Sequence, residues 1–195
     1  MTVLVLDPRW PDMIPLDVVG KIRGKVEYTS EVPVRVRWAL EAGPGEGEWL
    51  VTTDEGDGDV VKRVRAGEDV IVASSLADPM FQAAETMRRA RARGEWERAM
   101  THESLLPYLT EEAGEFAEAV RSGAGSRELK RELSDVFLQV LFHAEIATDF
   151  DLADVAAAFV DKMRSRAPYL FDGTTGLVAK DEQDRLWAEG KAREG

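Results

Sequence analysis

Between Glu111 and Asp135 the chain gathers carboxylates at helical spacing: Glu111, Glu112, Glu115 and Glu118, then Glu132 and Asp135. At about 100° per residue, Glu111, Glu115 and Glu118 fall within about 60° of one another, and Glu112 lies about 60° beyond Glu115. Like charges so placed destabilise a helix, and an external cation would relieve them. The second group has different surroundings. Val136, Phe137, Leu138, Val140, Leu141 and Phe142 make its helix apolar nearly all round, the mark of a buried helix, while Glu132, Asp135 and Gln139 form one polar strip. Buried carboxylates are costly unless paired or bound to metal. Two antiparallel helices could set Glu112 and Glu115 opposite Glu132 and Asp135. Four carboxylates around one point suit Mg²⁺ or Mn²⁺, hard ions that prefer oxygen ligands. The competing reading is of glutamates on solvated helix faces. It is preferred for Glu118 and Glu128, and the apolar neighbours of Glu132 and Asp135 count against it there.

Helices must position these groups, and the second half of the chain reads as helix. Asp78 followed by Pro79 is an N-cap with proline in the first turn, opening a helix to about Arg93. Thr101 caps a second, which Gly123 and Gly125 end and which Pro107 could bend or split. Ser126 caps a third, to about Ala147. Asp149 or Asp151 caps a fourth, through about Ser165, which Pro168 stops. Asp181–Arg193 forms a last short helix. Before residue 76 the pattern is α/β. Val3–Leu6, Val26–Tyr28, Val34–Trp38, Leu50–Thr53, Val60–Val64 and Val70–Ala73 read as strands, Pro15–Arg23 as a short helix, and Gly43–Gly47 and Gly56–Gly58 as turn-rich separators. The expected division is a small α/β domain over 1–75 and an all-α domain over 76–195.

Composition narrows the function classes. A hydrophobic share of 44% with 32% charged residues fits a soluble globular chain. The net charge of −12 repels nucleic acid and anionic membrane surfaces, so neither is expected as a partner, and an anionic substrate needs a metal or a local basic cluster. The absence of cysteine excludes disulfides and thiolate chemistry and fits a cytoplasmic protein. The opening MTVLVLDPRW has no signal-peptide pattern, and no apolar run approaches the roughly 20 residues that span a bilayer.

Glu111-Glu112-Ala-Gly-Glu115, sixteen residues, then Glu132-Leu-Ser-Asp135 resembles the EExxE…ExxD signature of the MazG-type nucleoside triphosphate pyrophosphohydrolases. Further matches surround it. Thr101–Leu109 resembles the segment preceding the signature, Glu132–Ala147 its ELGDLLLQVVFHARIA-type helix, Trp96 the Trp of a CPWD-like loop, and Trp187 with Lys191 a terminal W-x-x-x-K. The likeness covers about residues 77–193. A short α/β unit before one such domain looks most like the actinobacterial form of the family. The resemblance implies an all-α fold with a dimeric four-helix core. It implies Mg²⁺, with Mn²⁺ as the alternative, held by Glu112, Glu115, Glu132 and Asp135. It implies hydrolysis of nucleoside triphosphates to monophosphate and pyrophosphate, with Glu111 helping to activate water or binding a second ion, and a house-cleaning role towards damaged nucleotides. Lys162, Arg166 and Lys191 would then contact the triphosphate, and Trp187 would stack near the base or close the pocket. From spacing alone the basic pair reads as surface charge and Trp187 as packing. Two alternatives stay open: a narrow dUTP- or dCTP-type enzyme, and a non-catalytic metal-binding dimerisation or regulatory module.

Several positions depart from the family pattern. Arg93-Gly94-Glu95-Trp96-Glu97 stands at the CPWD-like loop, Met100 replaces a Gln, and Ala167-Pro168-Tyr169-Leu170-Phe171 lacks both histidines of an HPHVF-like segment. These changes bear on substrate preference more than on metal binding. His102 and His143, the only histidines, read as structural. Ile14–Ile22 with the Val26–Tyr28 strand faintly resembles the start of a tetrapyrrole methylase domain, without its Gly-rich loop, which suggests a degenerate remnant.

Overall fold

A computed structural model describes residues 1–40 and 42–194. The chain divides into two compact units, Met1–Gln82 and Ala83–Gly195. The first is α/β and the second, within its described residues, is helical.

The first unit is built on four strands, β1 (Thr2–Val5), β2 (Arg23–Tyr28), β3 (Gly43–Thr52) and β4 (Asp69–Val72), in the order β2-β3-β1-β4 with every neighbouring pair parallel. Because side chains alternate along a strand, the central strand β1 serves two cores. Leu4 packs with Val18, Ile22, Val32, Val36, Trp49 and Val51 on one face, and Val3 and Val5 with Leu50 and Val60 on the other. Parallel neighbours cannot be joined by a tight turn and need a crossover, usually helical. This corrects two expected strands. Val34–Ala39 is helix α1, between β2 and β3, and Gly58–Arg65 is helix α2, between β3 and β4, capped by Asp57 through Asp59 N at 2.8 Å. Each uses its β-branched residues to place one valine, Val36 or Val60, on the sheet. Pro15–Arg23 holds hydrogen-bonded turns rather than a helix, with Gly20 at φ +85°. Gly43–Gly47 is strand rather than separator. Its glycines answer Gly24, where a Cβ would stand 2.3 Å from the Gly47 carbonyl oxygen, and the β2–β3 register shifts there.

The second unit follows the helical expectation closely. Helix α3 (Pro79–Arg93) is capped by Asp78 through Met80 N and Phe81 N. It is followed by α4 (Glu95–Ala99), α5 (His102–Arg121), α6 (Ser126–Ile146), α7 (Leu152–Arg166) and α8 (Lys180–Glu194). Thr101 and Asp151 each form a capping box. Pro107 leaves α5 unbroken. Ser126 is the first residue of α6 and not its cap, which is Gly125. Met87, Leu105, Leu141 and Phe142 form the core. Trp96 meets Tyr108 and Phe142 edge-on, at 5.9 and 5.8 Å between ring centres, and so seats α4 on α5 and α6. No helix among the described residues is long and apolar enough to cross a membrane.

The two histidines join the start of α5 to the end of α6. Their Nδ1 atoms stand 2.8 Å apart and the rings lie within 5° of parallel. One Nδ1 must carry a proton and the other accept it, so the bond is lost when both rings are fully protonated. Burial, and then the neighbouring His102, push the His143 imidazole below its ordinary value of 6.5. A histidine lowered in the folded state binds its proton more readily when unfolded. Its stabilising effect is therefore complete above about 6.5 and is lost as pH falls from there through the lowered folded value. Denaturation across pH 5–8 is expected to show this loss in the wild type and a flatter profile in His143→Asn. Parallel profiles would show that the pair does not set the acid response.

Candidate metal and nucleotide site

Helices α5 and α6 are joined by four residues, and two contacts show that they run antiparallel. The histidine pair links the start of one to the end of the other. Further along, Glu112 on α5 lies within electrostatic reach of Asp135 and Glu132 on α6. Helix periodicity explains which residues meet. On α6, Glu132, Gln139 and His143 recur at seven and four residues and share a face within about 40°, with Asp135 about 60° to one side.

This seam is polar and incompletely paired. The Glu112 carboxyl is pushed above the usual range, first by desolvation and then by the charges of Asp135, Glu115, Glu111 and Glu132. Glu112 thus lies within electrostatic reach of the other four acidic residues singled out in the sequence. Glu132 is 5% exposed. Arg131 donates to its Oε1, while its Oε2 is buried with no hydrogen-bond partner. A buried oxygen left in that state costs about 1–3 kcal/mol. Gln139 Oε1 and His143 Nε2, on the same face of α6, are also buried and unpaired. Glu111 and Glu115 are exposed, and Glu112 and Asp135 half-buried. Among the described residues no three His, Asp or Glu side chains stand at the spacing of a closed metal shell. The donors are nevertheless all carboxylate oxygens, one of them buried and orphaned, on facing helices. That chemistry fits a hard divalent cation.

The basic residues form a second group, on α7 and α8. Lys162 lies over the Phe159 ring at 5.5 Å. Arg166 lies 5.3 Å from the Trp187 ring centre and is ion-paired to Glu194. Spacing alone read these residues as surface charge and packing, whereas the structure sets Arg166 of α7 against Trp187 of α8, with Lys191 exposed one residue beyond the packed Gly190. Spacing missed Glu194, although its position seven residues after Trp187 puts both on one helix face.

Two family models match the chain. The MazG N-terminal domain matches residues 1–71, and the MazG nucleotide pyrophosphohydrolase domain matches residues 100–171. The nucleoside triphosphate pyrophosphohydrolase of Mycolicibacterium smegmatis is 40% identical over the whole of this chain and 63% of its own length. That of Mycobacterium tuberculosis is 37% identical over the whole chain and 62% of its length. The chain thus spans somewhat under two thirds of these relatives. A crystal structure of a mazG-related protein from Thermotoga maritima superposes with a TM-score of 0.50 at 28% identity, covering 57% of this chain and 97% of that one. With both MazG family models matched in order and the whole of this chain aligned to part of a mycobacterial relative, the chain belongs to the MazG family.

Proposed function

We propose that this chain hydrolyses nucleoside triphosphates between the α- and β-phosphates, giving the monophosphate, pyrophosphate and a proton, and that it serves to remove damaged nucleotides. The observation that carries this reading is the convergence of the α5 and α6 carboxylates about Glu112 in a chain of this family. Glu112, Glu115, Glu132 and Asp135 would hold Mg²⁺, or Mn²⁺ in its place. When bound, such an ion supplies charge neutralisation for the phosphates and a lowered pKa for water. Glu111, exposed beside Glu112, takes the proton of the attacking water. Lys162 and Lys191 meet the triphosphate, and Trp187 stacks near the base. Arg166 belongs to the same strip, but its guanidinium is engaged by Glu194.

A homodimer completes the reading. Leu133, Leu138 and Val140 on α6, and Val155, Phe159 and Val160 on α7, are exposed apolar residues. Leu133, Val136, Phe137 and Val140 line one shallow apolar groove. A second copy of this helical unit would cover such surface. In the first unit the segment in place of a Gly-rich loop is closed. Asp7 is fully buried and its carboxylate accepts from Arg9 at 2.7, 2.9 and 3.0 Å, with Arg9 stacked on Trp10 and Phe81. This supports a structural remnant over a binding loop.

Three measurements test these points. Pyrophosphate release from a panel of ribo- and deoxynucleoside triphosphates is expected from the wild type with Mg²⁺, falling at least about a hundredfold in Glu112→Gln and Asp135→Asn. No product with either Mg²⁺ or Mn²⁺ would leave a non-catalytic module. Without substrate, millimolar Mg²⁺ is expected to raise the melting temperature of the wild type, and to do so much less in those variants, because binding to the folded state alone stabilises it. Equal shifts in all three would remove the metal assignment. Sedimentation equilibrium is expected to give twice the 21.6 kDa of one chain. A single-chain mass at micromolar concentration would remove the dimer.

A further inference from the structure

Helix α8 has little apolar surface with which to hold itself in place. Its sequence is KDEQDRLWAEGKARE, and Gly190 is its one buried residue among those described. A helix polar on most of its circumference gains little from burial, so other contacts must seat it. They are concentrated on one face, where Trp187, Gly190, Lys191 and Glu194 recur at three, one and three residues. At Gly190 the helices touch, since a Cβ there would lie 2.6 Å from the Ser165 carbonyl oxygen and 2.7 Å from the Arg166 Cα. Arg193 donates to the same Ser165 carbonyl at 2.7 Å. The Arg166 guanidinium is gripped from α8. Its Nε reaches the two Glu194 oxygens at 3.2 and 3.1 Å, a second nitrogen donates to Oε2, and the Trp187 ring lies alongside.

We infer that Arg166 and Glu194 form a clasp that seats α8 on α7, and that Glu194 is a positioning residue for Trp187 and Lys191. A guanidinium bonded to both oxygens of a carboxylate fixes direction as well as distance. Here it does so one turn from Gly190, where the backbones are closest. The functional half of the inference rests on the reading above, in which Trp187 and Lys191 meet the nucleotide. The opposite assignment makes Arg166 a phosphate ligand and Glu194 an internal anion competing with the substrate. The two differ in sign.

Steady-state kinetics on the best substrate of the panel, with Glu194→Gln, Arg166→Glu and the exchange Arg166→Glu/Glu194→Arg, separates them. Trypsin cleavage after Arg185 reads the seating of α8 without reference to activity. Each single variant is expected to raise KM about tenfold with kcat within about twofold, and to speed cleavage, while the exchange returns both most of the way to wild type. Circular dichroism confirms that the variants retain their helices. A lowered KM in Glu194→Gln would overturn the inference, as would an exchange no better than Arg166→Glu alone. Lys191→Ala serves as the gauge of the underlying reading. If it leaves KM unchanged, the nucleotide contact fails, and the cleavage rates still decide whether the clasp exists.

Discussion

Mutual repulsion among the carboxylates on α5 and α6 is the constraint around which the helical unit is organised. Glu112 feels four other acidic groups, and Glu132 buries an oxygen without a partner. Left to themselves, two helices with such faces would separate. They are held by what lies on either side of the acidic patch. Leu105, Leu141 and Phe142 are packed into the core beyond it, and the histidine pair links the far ends of the same two helices. The short connection at Ser122–Gly125 limits how far the near ends can part. A cation fitting the patch would remove the repulsion and pair the orphaned oxygen together. The arrangement is therefore better matched to an ion-bound state than to the bare protein.

Most of this was legible from residue types and spacing. The carboxylates were visible because helix periodicity converts positions into faces, and the burial of Glu132 was visible because of the apolar residues around it on α6, although Leu138 and Val140 of that run face outward. Caps at Asp78, Thr101 and Asp151 marked their helices for the same local reason: each side chain satisfies backbone groups two or three residues away. What failed was non-local. Val34–Trp38 and Val60–Val64 have strand-like composition, and nothing within either segment shows that its flanking strands are parallel and require a crossover. Gly43–Gly47 looked like a turn because the close approach of Gly24 lies some twenty residues away in sequence. The partner of Arg166 was missed for another reason. Glu194 sits among many charges on a polar helix, and only the approach of α7 at Gly190 selects it.

The acidic and basic groups are built by different means. The carboxylates stand on long helices with an apolar core behind them, and their positions follow from packing. The cations stand on α7 and α8, whose contact depends on a glycine, an aromatic ring and ion pairs. Packing of the first kind is rigid, because interiors are dense. Contacts of the second kind are exposed to water and salt.

The position of β1 in its sheet bears on how the chain is made. Thr2 pairs with Trp49 on one side and Asp69 on the other, so β1, made before both of its partners, waits for the last strand of its unit before both its edges are covered. Parallel pairings of this range are slow to form and leave strand edges open meanwhile. The helices that follow depend on near neighbours and can form as they emerge. During synthesis the first unit is thus the late and vulnerable one, although it comes first in the chain.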